Sequence, residues 1–291
     1  MAINIKRFLR YAFFALVGLF ALIGLLFTGV FFGMQFGLLN VRGSIAERNA
    51  FFAQFGAVPD AATSTPPCID PSKAVCDWRD TPEWPVIAGG LTKDKDILTK
   101  VSAQTGVPAR MIVATVVPEQ IRFFTSEREI FKHYFEPLKI LGSLSQFSLG
   151  VSGIKQDTAE AIEAYAADPS SPFYPGPGYA ALMAYSASTT PHDAELYDRL
   201  TDANDHYYSY LYTAVYIKEV ETEWSAAGFD ISTDPGVVVT LFNIGFQNSH
   251  PNANPIVGGA VITTGGQNYT YGELGRDFYD SGELTDLFPI N

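Results

Sequence analysis

Between Arg10 and Arg42 the chain carries no charged residue, and positions 11–40 read YAFFALVGLFALIGLLFTGVFFGMQFGLLN. A run that is apolar on every face cannot hide itself in water, so it constrains the chain more than any other feature. At about 1.5 Å rise per residue, such a helix exceeds a hydrocarbon core of about 30 Å and crosses it with tilt. A cleaved signal peptide competes with this reading, but its apolar stretch is only about 7–15 residues and ends at a small-residue cleavage site. The length favours an uncleaved anchor. Lys6, Arg7 and Arg10 precede the run, whereas Arg42, Glu47 and Arg48 follow it. This modest positive-inside bias puts the N-terminus in the cytoplasm and the remaining bulk outside the membrane.

Charge is distributed just as unevenly. Residues 49–291 carry 14 Lys+Arg against 30 Asp+Glu, a net −16. Nucleic-acid binding depends on neutralising phosphates with Lys and Arg, so no nucleic acid is expected as a partner, nor an anionic lipid surface for this domain. Cys68 and Cys76 enclose CIDPSKAVC. A metal or redox pair is the cytosolic reading, but no further His or Cys lies close enough in sequence for a zinc set. Outside the membrane the pair reads as a small structural disulfide.

Positions 57–73, AVPDAATSTPPCIDPSK, are rich in Pro, Ala, Ser and Thr, with Trp78 and Trp84 beyond them. They read as a linker that becomes ordered near the disulfide and docks through the tryptophans. The expected organisation is a cytoplasmic N-terminus over 1–10, a transmembrane anchor over 11–40, a linker with a small disulfide loop over 41–85, and a globular domain over 86–291. That domain reads as mainly α. Helices are expected over 94–104, 108–120, 127–139, 158–167, 177–186, 203–227 and 235–243, with Pro118 kinking or stopping the second near Glu119. Asp157 with Glu160 reads as a capping box, as does Thr270 with Glu273 ahead of a last helix ending near Gly282. Positions 260–271 read as a hairpin turning at Gly265-Gly266.

Most catalytic motifs are absent. There is no phosphate-binding Gly-rich loop, no dinucleotide fingerprint after a strand and no His-Glu-x-x-His. His133, His192, His206 and His250 are scattered without ligand spacing, so no metal and no cofactor is expected. Glu119 differs, because it follows the apolar run MIVATVVP. A carboxyl at the edge of a hydrophobic wall is pushed towards its protonated form, which can give a proton near neutral pH. The bland alternative is an ordinary helix-surface ion pair with Arg122, three residues on.

Order and residue type add to this. Glu119, then SLGVSGI at 148–154 running into Thr158-Ala159, then a tyrosine-rich helix, then LFNIG at 241–245, resembles the lytic transglycosylase family of the lysozyme-like superfamily. The resemblance covers roughly 92–248. It implies a lysozyme-like helical domain with a small C-terminal hairpin, no cofactor, and peptidoglycan glycan strands as partner. By the same resemblance Glu119 is the acid that protonates the oxygen between N-acetylmuramic acid and N-acetylglucosamine. As a base it then helps the muramic 6-hydroxyl close a 1,6-anhydro ring. Ser148, Gly150, Gly153 and Asn243 fall on the substrate-binding positions. Gly153 stands where the family has glutamine, Phe242 where it has tyrosine, and Gln120 where it has serine; Tyr208, Tyr210 or Tyr212 is expected to supply a replacement hydroxyl, with Tyr212 as the expected substrate contact. Tyr165, Tyr174 and Tyr179 are candidates for stacking on sugar. No second acid is evident among Asp193, Asp198, Asp202, Asp205 and Glu219. The alternative is a catalytically inactive lysozyme-like module that binds glycan or an envelope protein partner.

Overall fold

The computed structural model describes residues 68–125, 148–185, 191–202 and 204–290, with scattered positions between 14 and 28. The 11–40 stretch, the linker up to residue 67 and the helix expected over 127–139 lie wholly or mostly outside the described residues. Among the described residues no helix is long and apolar enough to cross a membrane.

The chain is mainly helical, and the central helix is the one that carries Glu119. The order begins with a 3-10 turn (Trp78–Asp80), α1 (Glu83–Lys93), α2 (Lys95–Thr105) and α3 (Ala109–Thr125). A two-residue hairpin follows, β1 (Ser148–Leu149) and β2 (Ile154–Lys155), and then α4 (Gln156–Ala167), the single turn α5 (Tyr179–Leu182) and α6 (His192–Thr201). The chain closes with α7 (Tyr207–Ala226), α8 (Pro235–Ile244), the hairpin β3 (Val261–Thr264) and β4 (Gln267–Thr270), and α9 (Tyr271–Asp280). Ile112, Val113, Ala114 and Val117 are fully buried on α3. That helix meets α1, α2, α7, α8, α9 and β3, so it can be apolar around most of its circumference.

Pro118 does not end α3. The helix continues to Thr125, and the reason lies in what packs on it. Proline gives no N–H to the carbonyl of Ala114, which faces α9 so closely that a Cβ on Gly275 would stand 2.9 Å from it. One residue on, the Thr115 carbonyl accepts a hydrogen bond from the Tyr271 hydroxyl at 3.3 Å. The neighbouring helix thus covers the turn that proline weakens. Glu119 consequently sits within α3 rather than at its end.

Local signals were followed unevenly. Thr270 and Glu273 form the reciprocal capping box of α9, and β3 pairs with β4 around Gly265-Gly266. Asp157 does not cap α4, which starts one residue earlier at Gln156; its carboxylate accepts from the adjacent Thr158 N–H at 2.7 Å, and Glu160 accepts from Gln156 at 2.9 Å. The span 203–227 contains α7 only from Tyr207, and α6 is an additional helix before it.

Residues 68–85 pack as part of the domain. Cys68 and Cys76 are joined, with Cα atoms 5.9 Å apart. Trp78 and Trp84 meet edge to face at 4.7 Å and both contact Phe278 of α9.

Within α7, Glu219 is fully buried and neither carboxyl oxygen has a hydrogen-bond partner among the described residues. Burial pushes this carboxyl up to about 10 from its ordinary 4.5. Between those values the folded chain keeps a proton that the unfolded chain has released, so folding stability falls by about 1.4 kcal/mol for each unit of rising pH. Glu219→Gln removes that dependence. Thermal melts should show the variant more stable than wild type at about pH 8 and indistinguishable near pH 4.5; parallel curves for the two proteins would refute a proton held at Glu219.

Candidate functional site

Glu119 points from α3 into a cavity of about 600 Å³ whose walls come from α3, the β1–β2 hairpin, α4, α8 and the segment leading to β3. It is 6% exposed. Arg122, one turn further along α3, donates to Glu119 Oε1 at 2.6 Å and lines the same cavity. The ion pair and the apolar cleft, alternatives in the sequence, therefore occur together.

The hydroxyl-rich turn 148–154 supplies the opposite wall through a glycine. At Gly153 φ is +65°, and a Cβ there would lie 2.2 Å from Glu119 Oε1 and 2.3 Å from its carboxyl carbon. No side chain fits between the turn and the carboxyl, so the glutamine expected on family grounds could not be accommodated without moving Glu119. The Ser152 hydroxyl serves the scaffold: Ser152 is buried, and its N–H and Oγ donate to Ser209 Oγ (3.3 Å) and Ser209 carbonyl (3.2 Å) of α7. The Gln120 side chain donates to the Val151 carbonyl and ties the turn back to α3.

The third wall is the end of α8. Asn243 lines the cavity, and its Oδ1 accepts the Ala260 N–H at 2.8 Å. That bond fixes the amide, since the oxygen must face Ala260; its NH2 has no partner among the described residues and is left to the cavity. The chain at 258–260 is anchored in turn, because Tyr271 N–H donates to the Ala260 carbonyl at 2.9 Å and Gly272 N–H to the Gly258 carbonyl at 2.8 Å.

Tyr271 was not singled out for chemistry from sequence, yet it lines the cavity beside Glu119 while being 1% exposed, and its phenol donates to the Thr115 carbonyl. Burial pushes the phenol well above its ordinary 10, and the nearby Glu119 carboxyl adds to this, so the hydroxyl remains a donor. The signal available in sequence was its place as first residue of a capped helix, where direction is fixed.

Glu119, Gly153 and Asn243 come together. Gly150 does not line the cavity: its φ is also +65°, but a Cβ there would meet the Leu200 carbonyl at 2.0 Å and Ser209 at 2.7 Å, so it serves the packing of the turn on α6 and α7. Ser148 pairs with Lys155 across the small hairpin, and its side chain lies outside what the structure describes. Tyr212 is fully buried away from the cavity, hydrogen-bonded to Glu163 and 3.4 Å from the Tyr185 hydroxyl. Burial and the Glu163 carboxylate push its phenol far up. His192 meets the other oxygen of Glu163 at 2.7 Å. This cluster joins α4, α6 and α7 and has nothing to do with Glu119, because α7 turns Tyr212 towards α4.

Of the tyrosines named for stacking, Tyr165 lines the cavity, while Tyr179 donates to the Thr105 carbonyl at 2.6 Å. Tyr165, Phe173 and Phe246 have ring centres 4.9–5.0 Å apart and form an aromatic end to the cleft. Asp157 lines the cavity as well, whereas Glu219 does not. Among the described residues no three His, Cys, Asp or Glu are grouped to hold a metal ion. No protein-family model, curated protein or solved structure matches the chain.

Two glycines separate backbone strain from crowding. Gly106 has φ +74° with nothing within 4 Å of an added Cβ, whereas Gly153 combines φ +65° with the Glu119 carboxyl. Gly106→Ala should cost about 1–2 kcal/mol in denaturant unfolding, the backbone cost alone. Gly153→Ala should cost more, since Glu119 and Arg122 must also shift; equal losses would contradict the close packing of turn and carboxyl.

Proposed function

We propose that this chain is a membrane-anchored lytic transglycosylase. Its lysozyme-like domain lies outside the cytoplasmic membrane and cuts the β-1,4 bond between N-acetylmuramic acid and N-acetylglucosamine in peptidoglycan. The observation that carries the reading is the meeting of Glu119, Gly153 and Asn243, from three segments distant in sequence, on one cavity. The 11–40 stretch supports the anchor by its length and lack of charge.

In this mechanism the Glu119 carboxyl gives its proton to the bridging oxygen, and the bond from that oxygen to the muramic anomeric carbon breaks. The sugar's acetamido oxygen stabilises the electron-poor carbon, as in other substrate-assisted cleavages. The Glu119 carboxylate then takes the proton of the muramic 6-hydroxyl, whose oxygen bonds to the anomeric carbon and closes the anhydro ring. No water is consumed and the same carboxyl is restored. Tyr271 walls the cavity beside the carboxyl, the Asn243 NH2 is available to the acetamido carbonyl, and Tyr165 offers an aromatic surface at the far end of the cleft.

A second reading is a module that binds glycan, or a protein of the envelope, without cutting it. The bond from Arg122 favours it, because the guanidinium occupies the carboxyl oxygen that an acid catalyst would present to its substrate.

Digestion of purified peptidoglycan with the full-length chain separates the two. Release of anhydro-muropeptides by wild type but not by Glu119→Gln is expected; binding without release selects the second reading, and neither binding nor release defeats both. Asn243→Asp keeps the acceptor for Ala260 but loses the donor facing the cavity. It should lower the rate about tenfold or more, with melting behaviour close to wild type.

A further inference from the structure

The contact between Arg122 and Glu119 poses a problem for acid catalysis, and the surroundings of the pair offer its solution. Arg122 bonds Glu119 Oε1 at 2.6 Å, with the arginine side chain 23% exposed and the glutamate side chain 8% exposed. The arginine is the more accessible partner, and it lines the cavity. The groups around Glu119 are Tyr271, whose phenol donates to the Thr115 carbonyl, and Gly153, which leaves no room for the carboxyl to retreat. The other charged residues on the cavity wall are Lys155 and Asp157.

A guanidinium that simply left this carboxylate for water would abandon a buried charge, at a cost of several kcal/mol. Moving to a second carboxylate replaces the charge-assisted hydrogen bond to Glu119 with another of the same kind. Glu119 Oε1, released from the guanidinium, is then open to the bridging oxygen of the bound glycan.

We propose that Arg122 is a specificity-determining residue: it exchanges Glu119 for a carboxylate carried by the glycan, and this exchange arms Glu119 as the acid. The inference rests on the proposed cleavage reaction and names its substrate class, a pyranose chain bearing carboxylates beside the cut bond. Lys155, on β2, is a second cation on the cavity wall. Neutral N-acetylated glycans leave Arg122 on Glu119 and are poor substrates. The carboxylate has two sources in peptidoglycan, the lactyl group of a peptide-free strand and the acidic residues of a stem peptide.

The test uses the full-length chain on three substrates: peptide-free strands with free lactyl carboxylates, the same strands methyl-esterified, and peptide-bearing strands whose lactyl groups are amides. Wild type should cut the free-acid strands about tenfold or more faster than the esterified ones, the worth of one charge-assisted contact. Arg122→Gln should cut both at one rate, and Arg122→Lys should recover part of the preference. Each ratio is taken within one protein, so it does not depend on the folded fraction. Faster cutting of peptide-bearing than of esterified strands adds the peptide as a source, and equal rates for those two restrict it to the lactyl group. Equal wild-type rates on acid and ester strands, or a preference that survives in Arg122→Gln, overturn the proposal. If wild type cuts none of the three, the cleavage reading fails, and binding of the strands by Glu119→Gln decides this one separately. Preference for the acid strands that disappears when Arg122→Gln is added upholds the recognition by Arg122; equal or absent binding defeats it.

Discussion

The fold depends on one buried guanidinium. Arg110, on the first turn of α3, is 1% exposed and donates to the carbonyls of Phe278, Tyr279, Ser281, Glu283 and Phe288 at 2.6–3.0 Å. These bonds use all five donors of the side chain. None of those partners is a carboxylate. The last carbonyls of α9 have no intrahelical partner and carry the negative end of the helix dipole. A charge that would otherwise be prohibitive to bury is thereby matched to carbonyl dipoles at and beyond that helix end, of which that of Phe278 also accepts from Ser281. Burial lowers the arginine from its ordinary value, but an arginine has ample margin to remain charged.

The consequence runs the length of α9. With its far end pinned to the start of α3, the helix lies against the turns around Pro118 and brings Gly275 and Tyr271 onto the carbonyls of Ala114 and Thr115. Glu119 therefore owes both its unbroken helix and its phenol neighbour to Arg110. The hairpin before α9 is held from the other side: Cys76 N–H donates to the Gly265 carbonyl at 2.8 Å, and the Gln267 side chain to the Cys76 carbonyl at 2.7 Å. A Cβ at Gly265 would stand 2.3 Å from that same carbonyl. The disulfide loop is a clamp on the hairpin, and the Pro- and Ala-rich composition ahead of it concealed its membership of the domain.

What could be read from the sequence was whatever is decided locally. The Thr270–Glu273 box, the Gly265-Gly266 turn and the mainly helical character follow from short-range chemistry and were legible. Pro118 misled because its cost is local while its remedy, α9, is some 150 residues away in sequence. Asp157 had the residue spacing of a cap, but the chain enters α4 from a paired strand at Lys155 and is already helical at Gln156. In the site, Glu119, Gly153 and Asn243 could be named by residue type and order. Gly150 and Tyr212 could not be separated from them, because the direction in which a turn or a helix face points is set by packing on α6 and α4. Tyr271 was hidden for the same reason, being placed by the Arg110 contacts rather than by any pattern around it.

Two buried glutamates show how proton and access are divided in this domain. Glu219 has no partner among the described residues and no part in the cavity, so burial alone makes it a neutral acid. It holds a proton that no ligand in the cleft can reach. Glu119 has the cleft, the phenol and the close glycine, but also a cation on its oxygen. Desolvation by itself yields a well-protonated carboxyl in the wrong place, and a usable one requires an opening through which polar groups also reach it. An acid in such an opening is either left to titrate as water permits or controlled by a movable counter-charge. Arg122, more exposed than its partner and set on the wall of the cleft, is placed to act as that counter-charge.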